Sequence, residues 1–181
     1  SDLAKYQLEP EVYSNEQLDE IIKYLKQADR PEFKIHLKCD TGMNRMGFSD
    51  QDIPILCEKL KKEKLIKVIS VFSHLSSSED PTDDDFTNYQ VRLLNTYFKT
   101  ITDALGYKPL KHILNSAGII RFPQYHFDMV RLGLGLYGID STKVISHKLE
   151  KVHTLKATVI QIKDVGTNAF IGYNRRGKVA N

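Results

Sequence analysis

The sequence predicts an α/β fold in which parallel strands alternate with helices to form part of a TIM-type (β/α)8 barrel, followed by the opening of an all-β domain. Over residues 1–148 the hydrophobic period switches repeatedly between two and 3.6. One strand in that stretch carries a full polar face, which an open doubly wound sheet, covered by helices on both sides, would not allow. Near residue 149 the helical period disappears. With 181 residues, 41% hydrophobic and 27% charged, the chain is long enough for about one domain with its own core.

Residues 10–13 read as extended, and Ser14 with Gln17 three places on forms a capping box ahead of the stripe Leu18, Ile21, Ile22 and Leu25. Residues 34–40 place Ile35, Leu37 and Cys39 on one face and His36, Lys38 and Asp40 on the other. Ser49 and Pro54 then open a helix striped by Ile53, Leu56, Cys57 and Leu60, with the charged run 58–67 as its solvated face. Val68–Phe72 is a third strand. After a serine and aspartate loop, the acidic residues 83–85 start a long helix striped by Phe86, Tyr89, Leu93, Tyr97, Phe98 and Ile101 and ended by Gly106. A fourth strand is expected over His112–Asn115 and a fifth over Met129–Tyr137. From Leu149, LEKVHTLKATVIQIKDV alternates as one long strand, and GTNAFIGYNRRGK reads as a turn and a second strand. The expected division is therefore 1–148 for the barrel-type part and 149–181 for the β domain.

Composition excludes several functions. Lysine and arginine total 26 against 23 acidic residues, a dispersed balance of +3 that makes no nucleic-acid footprint. No apolar run approaches the ~18 residues of a membrane span, and SDLAKYQLEP lacks the features of a signal peptide. Cys39 and Cys57 have no metal-binding spacing, which suits a reducing compartment, the cytoplasm, and no metal. Because the chain opens on Ser1 and stops at Asn181 in a polar stretch, it is expected to be a piece of a longer protein.

The chemistry-bearing residues gather at strand ends, where a barrel builds its site. Lys38 and Arg45 lie in IHLKCDTGMNRMGF, His74 in FSHL, Asn115 and Ser116 in LNSAG, and Arg131, Gly133 and Gly135 in MVRLGLGLYG. Glycine amides beside a serine hydroxyl suggest a phosphate cup, and the arginines a basic clamp. Each residue also has a plainer use. Lys38 can snorkel from a barrel rim, His74 can be a satisfied core histidine, Asn115 and Ser116 can cap a helix, and Arg131 can pair with Asp128. Joint occurrence at successive strand ends favours the functional reading. A metal-dependent barrel hydrolase would instead draw on His36, His74 and His112 with a carbamylated Lys38 between two metals, but these histidines lack the paired spacing of such sites.

DTGMNRMGF, FSHL, LNSAG, DMVRLGLGLYG, LKATVIQIKDV and IGYNRRGK together resemble, in that order, the motifs of the pyridoxal-phosphate-dependent alanine racemases, across residues 8–178. The resemblance implies about the last five strands of an eight-stranded barrel and the start of the carboxyl-terminal β domain. It implies pyridoxal 5'-phosphate as cofactor, with Ser116 and the amides of Gly133 and Leu134 on its phosphate, Asn115 in the same motif, His74 beside its ring and Arg131 on its pyridine nitrogen. Arg45 would serve the phenolic oxygen and the substrate carboxylate, and Lys38, carbamylated to an anion, would orient Arg45. Tyr173 would be one of the two bases that racemisation needs, offered to the other subunit of a homodimer and favoured as phenolate by His74 and Arg131. Alanine is the implied substrate, and D-alanine for peptidoglycan precursors the implied product. The family's Schiff-base lysine belongs to an amino-terminal motif with no counterpart here, so this piece is expected to be inactive and, with open sheet edges, to self-associate. The alternative is a non-catalytic cofactor-binding or assembly module.

Overall fold

Four parallel strands lie side by side in chain order in the computed structural model, which describes residues 2–27 and 32–178. They are β1 (Glu11–Val12), β2 (Phe33–Lys38), β3 (Ile66–Phe72) and β4 (Leu110–His112). Helices α2 (Asn15–Gln27), α3 (Asp52–Lys62) and α4 (Asp84–Leu105) make the successive connections, with a short α1 (Asp2–Lys5) before β1 and α5 (Ser116–Arg121) after β4.

Local chemistry explains the boundaries. Ser14 Oγ accepts the Gln17 N–H at 3.2 Å, while the Gln17 side chain accepts from Tyr13 N–H at 3.0 Å and donates to Glu11 O at 3.1 Å. The expected box thus starts α2 and also ties it to β1. Gly106 ends α4 in the left-handed region at φ +73°, its N–H returning to Thr102 O at 3.0 Å. The buried stripe of α4 runs through Val91, Leu94, Tyr97, Phe98 and Ile101, whereas Phe86 and Tyr89, expected on it, remain partly exposed. Together with Leu18 and Leu25 of α2, Leu56 and Leu60 of α3, and Val12, Ile35, Leu37 and Val71 of the sheet, these residues form one core.

The register of β3 has a consequence for the opposite face. Ile35 pairs with Val68 but His36 pairs with Ser70, so Ile69 has no partner in the β2 register. This bulge lets Val68 and Val71, three residues apart, both join the core. Ser70 and Phe72 then fall in line with His36 and Lys38.

Two expected strands are not formed. Between β4 and residue 137 the chain does run beside its neighbour briefly, with Asp128 N–H on Lys111 O at 3.1 Å and Arg131 N–H on Leu114 O at 3.0 Å. Residues Leu134–Tyr137 then coil into a 3-10 turn closed by Gly138 at φ +74°. Glycines at 133, 135 and 138 deprive this segment of the side chains a strand would pack. Residues 149–168 hold no strand either, and Leu155 and Ile160 are each 95% exposed. Alternation alone cannot hold a strand without a neighbour to receive its hydrogen bonds. Beyond them, among the described residues, only a short antiparallel pair forms, β5 (Phe170–Ile171) with β6 (Gly177–Lys178). Cys39 and Cys57 are both free and buried. No helix among the described residues is long and apolar enough to cross a membrane.

Candidate functional site

The polar face of the sheet carries a continuous hydrogen-bonded row. Ser70 Oγ lies 2.7 Å from His36 Nδ1 and 3.0 Å from His112 Nε2, and His36 Nε2 reaches Glu9 Oε2 at 3.2 Å. His112 stacks on Phe72 with ring centroids 4.7 Å apart. Arg131 comes over this face with its guanidinium 5.0 Å from the centre of the Phe72 ring. Its Nη1 donates to His112 Nδ1, and its Nη2 donates to Ser73 O at 2.6 Å, Ile113 O at 3.2 Å and His74 Nδ1 at 3.2 Å. Asp128, the carboxylate considered as a partner for Arg131, instead accepts the Lys111 N–H at 2.8 Å.

A guanidinium can only donate, so both histidines present an unprotonated Nδ1 to it and are neutral. The electrostatics agree. Burial, then the charge of Arg131, then His36 push the His112 imidazole down to about 3. Burial and the positive charges of Arg131, Arg45 and Lys38, opposed by Glu11, push His74 down to about 4. Arg131 itself falls to about 10 through burial, with Glu11 opposing, and stays charged at neutral pH. Neither Arg131 Nε nor His74 Nε2 has a hydrogen-bond partner among the described residues.

Beside this cluster Ser116 Oγ accepts two amides, Gly133 N–H at 2.9 Å and Gly135 N–H at 3.2 Å. These two amides are spent on Ser116, whereas the Leu134 amide has no hydrogen-bond partner among the described residues. Asn115 behaves as the cap of α5, its Oδ1 accepting Gly118 N–H at 2.9 Å, and it also accepts the Ser78 hydroxyl at 2.7 Å. The loop bearing Arg45 is pinched at its base, where Asp40 N–H meets Phe48 O and Phe48 N–H meets Lys38 O, both at 2.9 Å. Arg45 is exposed, yet close enough for its charge to act on His74.

Lys38 is buried, with its Nζ 3.2 Å from Glu11 Oε1 and 5.9 Å from the centre of the Phe72 ring. Carbamylation would bring two anions together unless Glu11 turned away. Tyr173 is 98% exposed, so neither His74 nor Arg131 of its own chain touches it. His36 and His112 converge on Ser70 and His74 on Arg131. Among the described residues no three His, Cys, Asp or Glu side chains are placed to hold a metal ion.

Residues 1–141 match the family model described as the alanine racemase N-terminal domain. The chain belongs to the alanine racemase family. A relative named alanine racemase 1, from Oceanobacillus iheyensis, is 35% identical over 177 residues, covering 94% of this chain and 46% of that protein. The solved alanine racemase of Clostridium difficile 630 superposes with a TM-score of 0.69 at 27% identity, covering 99% of this chain and 47% of that one. The alanine racemase of Bartonella henselae, solved with covalently bound pyridoxal phosphate, shares the fold with a TM-score of 0.68 at 21% identity, covering 77% of this chain and 39% of that one. The chain thus spans about half the length of the alanine racemases it matches.

Of the residues singled out in the sequence, the structure brings Arg131, Lys38 and Arg45 around the His74 imidazole and sets Ser116 with Gly133 and Gly135. Sequence reasoning misses Glu11, Ser70 and Ser73. Glu11 lies in register with His36, a pairing between strands that residue spacing within either strand does not reveal.

Proposed function

We propose that this chain carries the cofactor-facing part of a pyridoxal-phosphate-dependent alanine racemase, as about the last five strands of its barrel (1–148) and the start of its β domain (149–181). The observation that carries the proposal is Arg131, which is held by four acceptors, has no carboxylate partner among the described residues, and keeps its Nε unspent. An unspent donor beside neutral histidines suits the nitrogen of a pyridine ring. The Gly133 and Gly135 amides fix the Ser116 oxygen, which leaves the Ser116 hydroxyl proton and the Leu134 amide, without a partner among the described residues, as donors for a phosphate. The residues present therefore fit the cofactor.

When bound, pyridoxal phosphate supplies the electron sink that lets an amino acid lose its α-proton. Ser116 and the amides of Gly133 and Leu134 would hold the phosphate, the Gly133 amide exchanging Ser116 Oγ for a phosphate oxygen, Asn115 would fix Ser116 at the start of α5, and Arg131 would hydrogen-bond the ring nitrogen. As a group still cationic at neutral pH, Arg131 holds its own protons and leaves that nitrogen unprotonated, which weakens the sink and restrains side reactions. His74 would stand beside the ring, and Arg45 would orient the alanine carboxylate. Tyr173, exposed on the β5–β6 hairpin, would serve a second subunit rather than its own. Without a lysine in the family's amino-terminal motif the isolated chain lacks one of the two required bases, so it binds cofactor without racemising alanine. The whole parent interconverts L- and D-alanine in the cytoplasm, for cell-wall precursors, as a homodimer.

Titration of the chain with pyridoxal phosphate, followed by absorbance, tests this alongside an alanine racemisation assay. Saturable binding weakened by Ser116→Ala and by Arg131→Met is expected, with no turnover. Binding unaffected by either substitution would overturn the site. Turnover by the isolated chain would overturn its assignment as inactive.

A further inference from the structure

Helix α4 sends the polar side chain of Gln90 into the region beneath the site. Gln90 is fully buried and shares the helical stripe of Leu94, Tyr97 and Ile101, a position where an apolar residue would be the default. Its carboxamide is used on every side. Nε2 donates to Thr41 Oγ1 at 3.3 Å and to His74 O at 3.1 Å, and Oε1 accepts Ser76 N–H at 3.1 Å and the Ser76 hydroxyl at 3.3 Å. Thr41 lies in the loop that carries Arg45, and its hydroxyl also bonds Ser73 Oγ at 2.7 Å. Ser73 O is in turn an acceptor of Arg131.

We propose that Gln90 is a positioning residue of this site: its carboxamide fixes the spacing between the loop that carries Arg45 and the strand end that carries His74. No other side-chain type of this size matches the four partners. A glutamate would set a second acceptor against His74 O and bury a charge, and an asparagine is one methylene short of the reach. Leucine would fill the space and leave Ser76 N–H and His74 O without their partner. Among the described residues, the side-chain bond that then still ties the Arg45 loop to the His74 strand end is the one between Thr41 and Ser73. The inference deepens the reading of His74 and Arg45 as members of one cofactor site and rests on it.

The test is the titration of His74 by NMR in the cofactor-free chain, with the signal assigned through His74→Gln. The groups acting on this imidazole are Arg131, Arg45, Lys38 and Glu11, in a buried setting that places it at about 4. If the Arg45 loop is released, both desolvation and cationic repulsion fall, and each change favours protonation. Gln90→Leu and Thr41→Val should each make His74 bind its proton at least about tenfold more tightly. Thr41→Ser, which keeps the hydroxyl, should titrate as the parent chain does. Should Gln90→Leu fail to fold, the Thr41 pair decides. An unchanged titration in Thr41→Val, or an equal change in Thr41→Ser, overturns the proposal. Because no cofactor is present, this result is independent of whether the chain binds pyridoxal phosphate.

Discussion

Ser70→Ala probes the row that stands behind Arg131. The guanidinium donates to His112 Nδ1, so the proton of that neutral ring is on Nε2 and is donated to Ser70 Oγ. Ser70, fully buried, must then send its own proton to His36 Nδ1, because any other arrangement leaves a buried hydroxyl proton unpaired. His36 passes the last donor to Glu9, and the row runs from a donor-only cation to an acceptor-only carboxylate. Alanine at 70 removes the acceptor of His112 Nε2–H in a residue only 3% exposed, where water cannot replace it. The expected cost is about 1–3 kcal/mol, while the His36 end, partly exposed, recovers a water. With a urea slope of roughly 1–3 kcal/mol per molar, the midpoint should fall by about 1 M. The chain has no tryptophan, so far-UV circular dichroism is the suitable probe. Repeating the substitution in a His112→Phe background isolates the pair, since the buried donor is then gone and Ser70→Ala should cost under about 0.5 kcal/mol. A loss below about 0.5 kcal/mol in the parent background, or an equal loss in both, would refute the assigned polarity of the row.

His112 and His74 sit well below the ordinary imidazole value of 6.5 in the folded chain, so the unfolded chain takes up protons first as the pH falls. Their contribution to stability is complete above about 6.5, declines below it and is lost toward pH 3–4; urea midpoints should drop between about pH 7.5 and 5, and a flat profile would contradict this. Ser116→Ala should weaken pyridoxal phosphate binding by roughly 10–100-fold, the loss of one hydrogen bond to a charged group, as read by absorbance titration. In a complete parent enzyme Tyr173→Phe should abolish racemisation while cofactor binding persists, and full activity would remove the tyrosine from proton transfer. The isolated chain should self-associate through its open sheet edges and exposed apolar residues 152–162, visible as mass rising with concentration in light scattering; a monomer at high concentration would contradict the exposed-edge account.

Features set by near neighbours along the chain are legible in the amino-acid sequence. Ser14 and Gln17 start α2, Gly106 ends α4, and Asn115 caps α5, because each depends on a bond spanning a few residues. Ser116, Gly133 and Gly135 stand out as residue types in the sequence, but the bonds that join them span 17 and 19 residues and are not legible there. What escapes depends on register between strands. The bulge at Ile69 decides that Ser70 meets His36, and the β1–β2 pairing decides that Glu11 meets Lys38. The strands expected at 129–137 and 149–165 do not form because alternation reports which side chains could share a face and says nothing of whether a partner strand exists. Gln90 does leave a signal, a polar residue on the buried stripe of α4, but the apolar pattern phases that stripe on Phe86 and Tyr89, which the structure leaves partly exposed.

The charge around His74 gives the cluster its chemical direction. Three cations, Arg131, Arg45 and Lys38, disfavour its protonated form, and one carboxylate, Glu11, opposes them. Keeping cations of this kind together in a partly buried place costs stability unless an anion joins them, and Glu11 is already committed to Lys38 at 3.2 Å. Among the described residues Arg131 and Arg45 have no carboxylate partner, and the Ser116 hydroxyl beside them, its oxygen already accepting two glycine amides, has its proton left to donate. An uncompensated set of donors and cations favours a ligand with several negative oxygens and an acceptor ring nitrogen. A metal ion would be repelled by the same charges, and a cationic substrate without a carboxylate would find no partner here. The electrostatics therefore favour the ligand class proposed for this site, a phosphorylated pyridine together with a substrate carboxylate, on grounds separate from the donor geometry at Ser116 and Arg131.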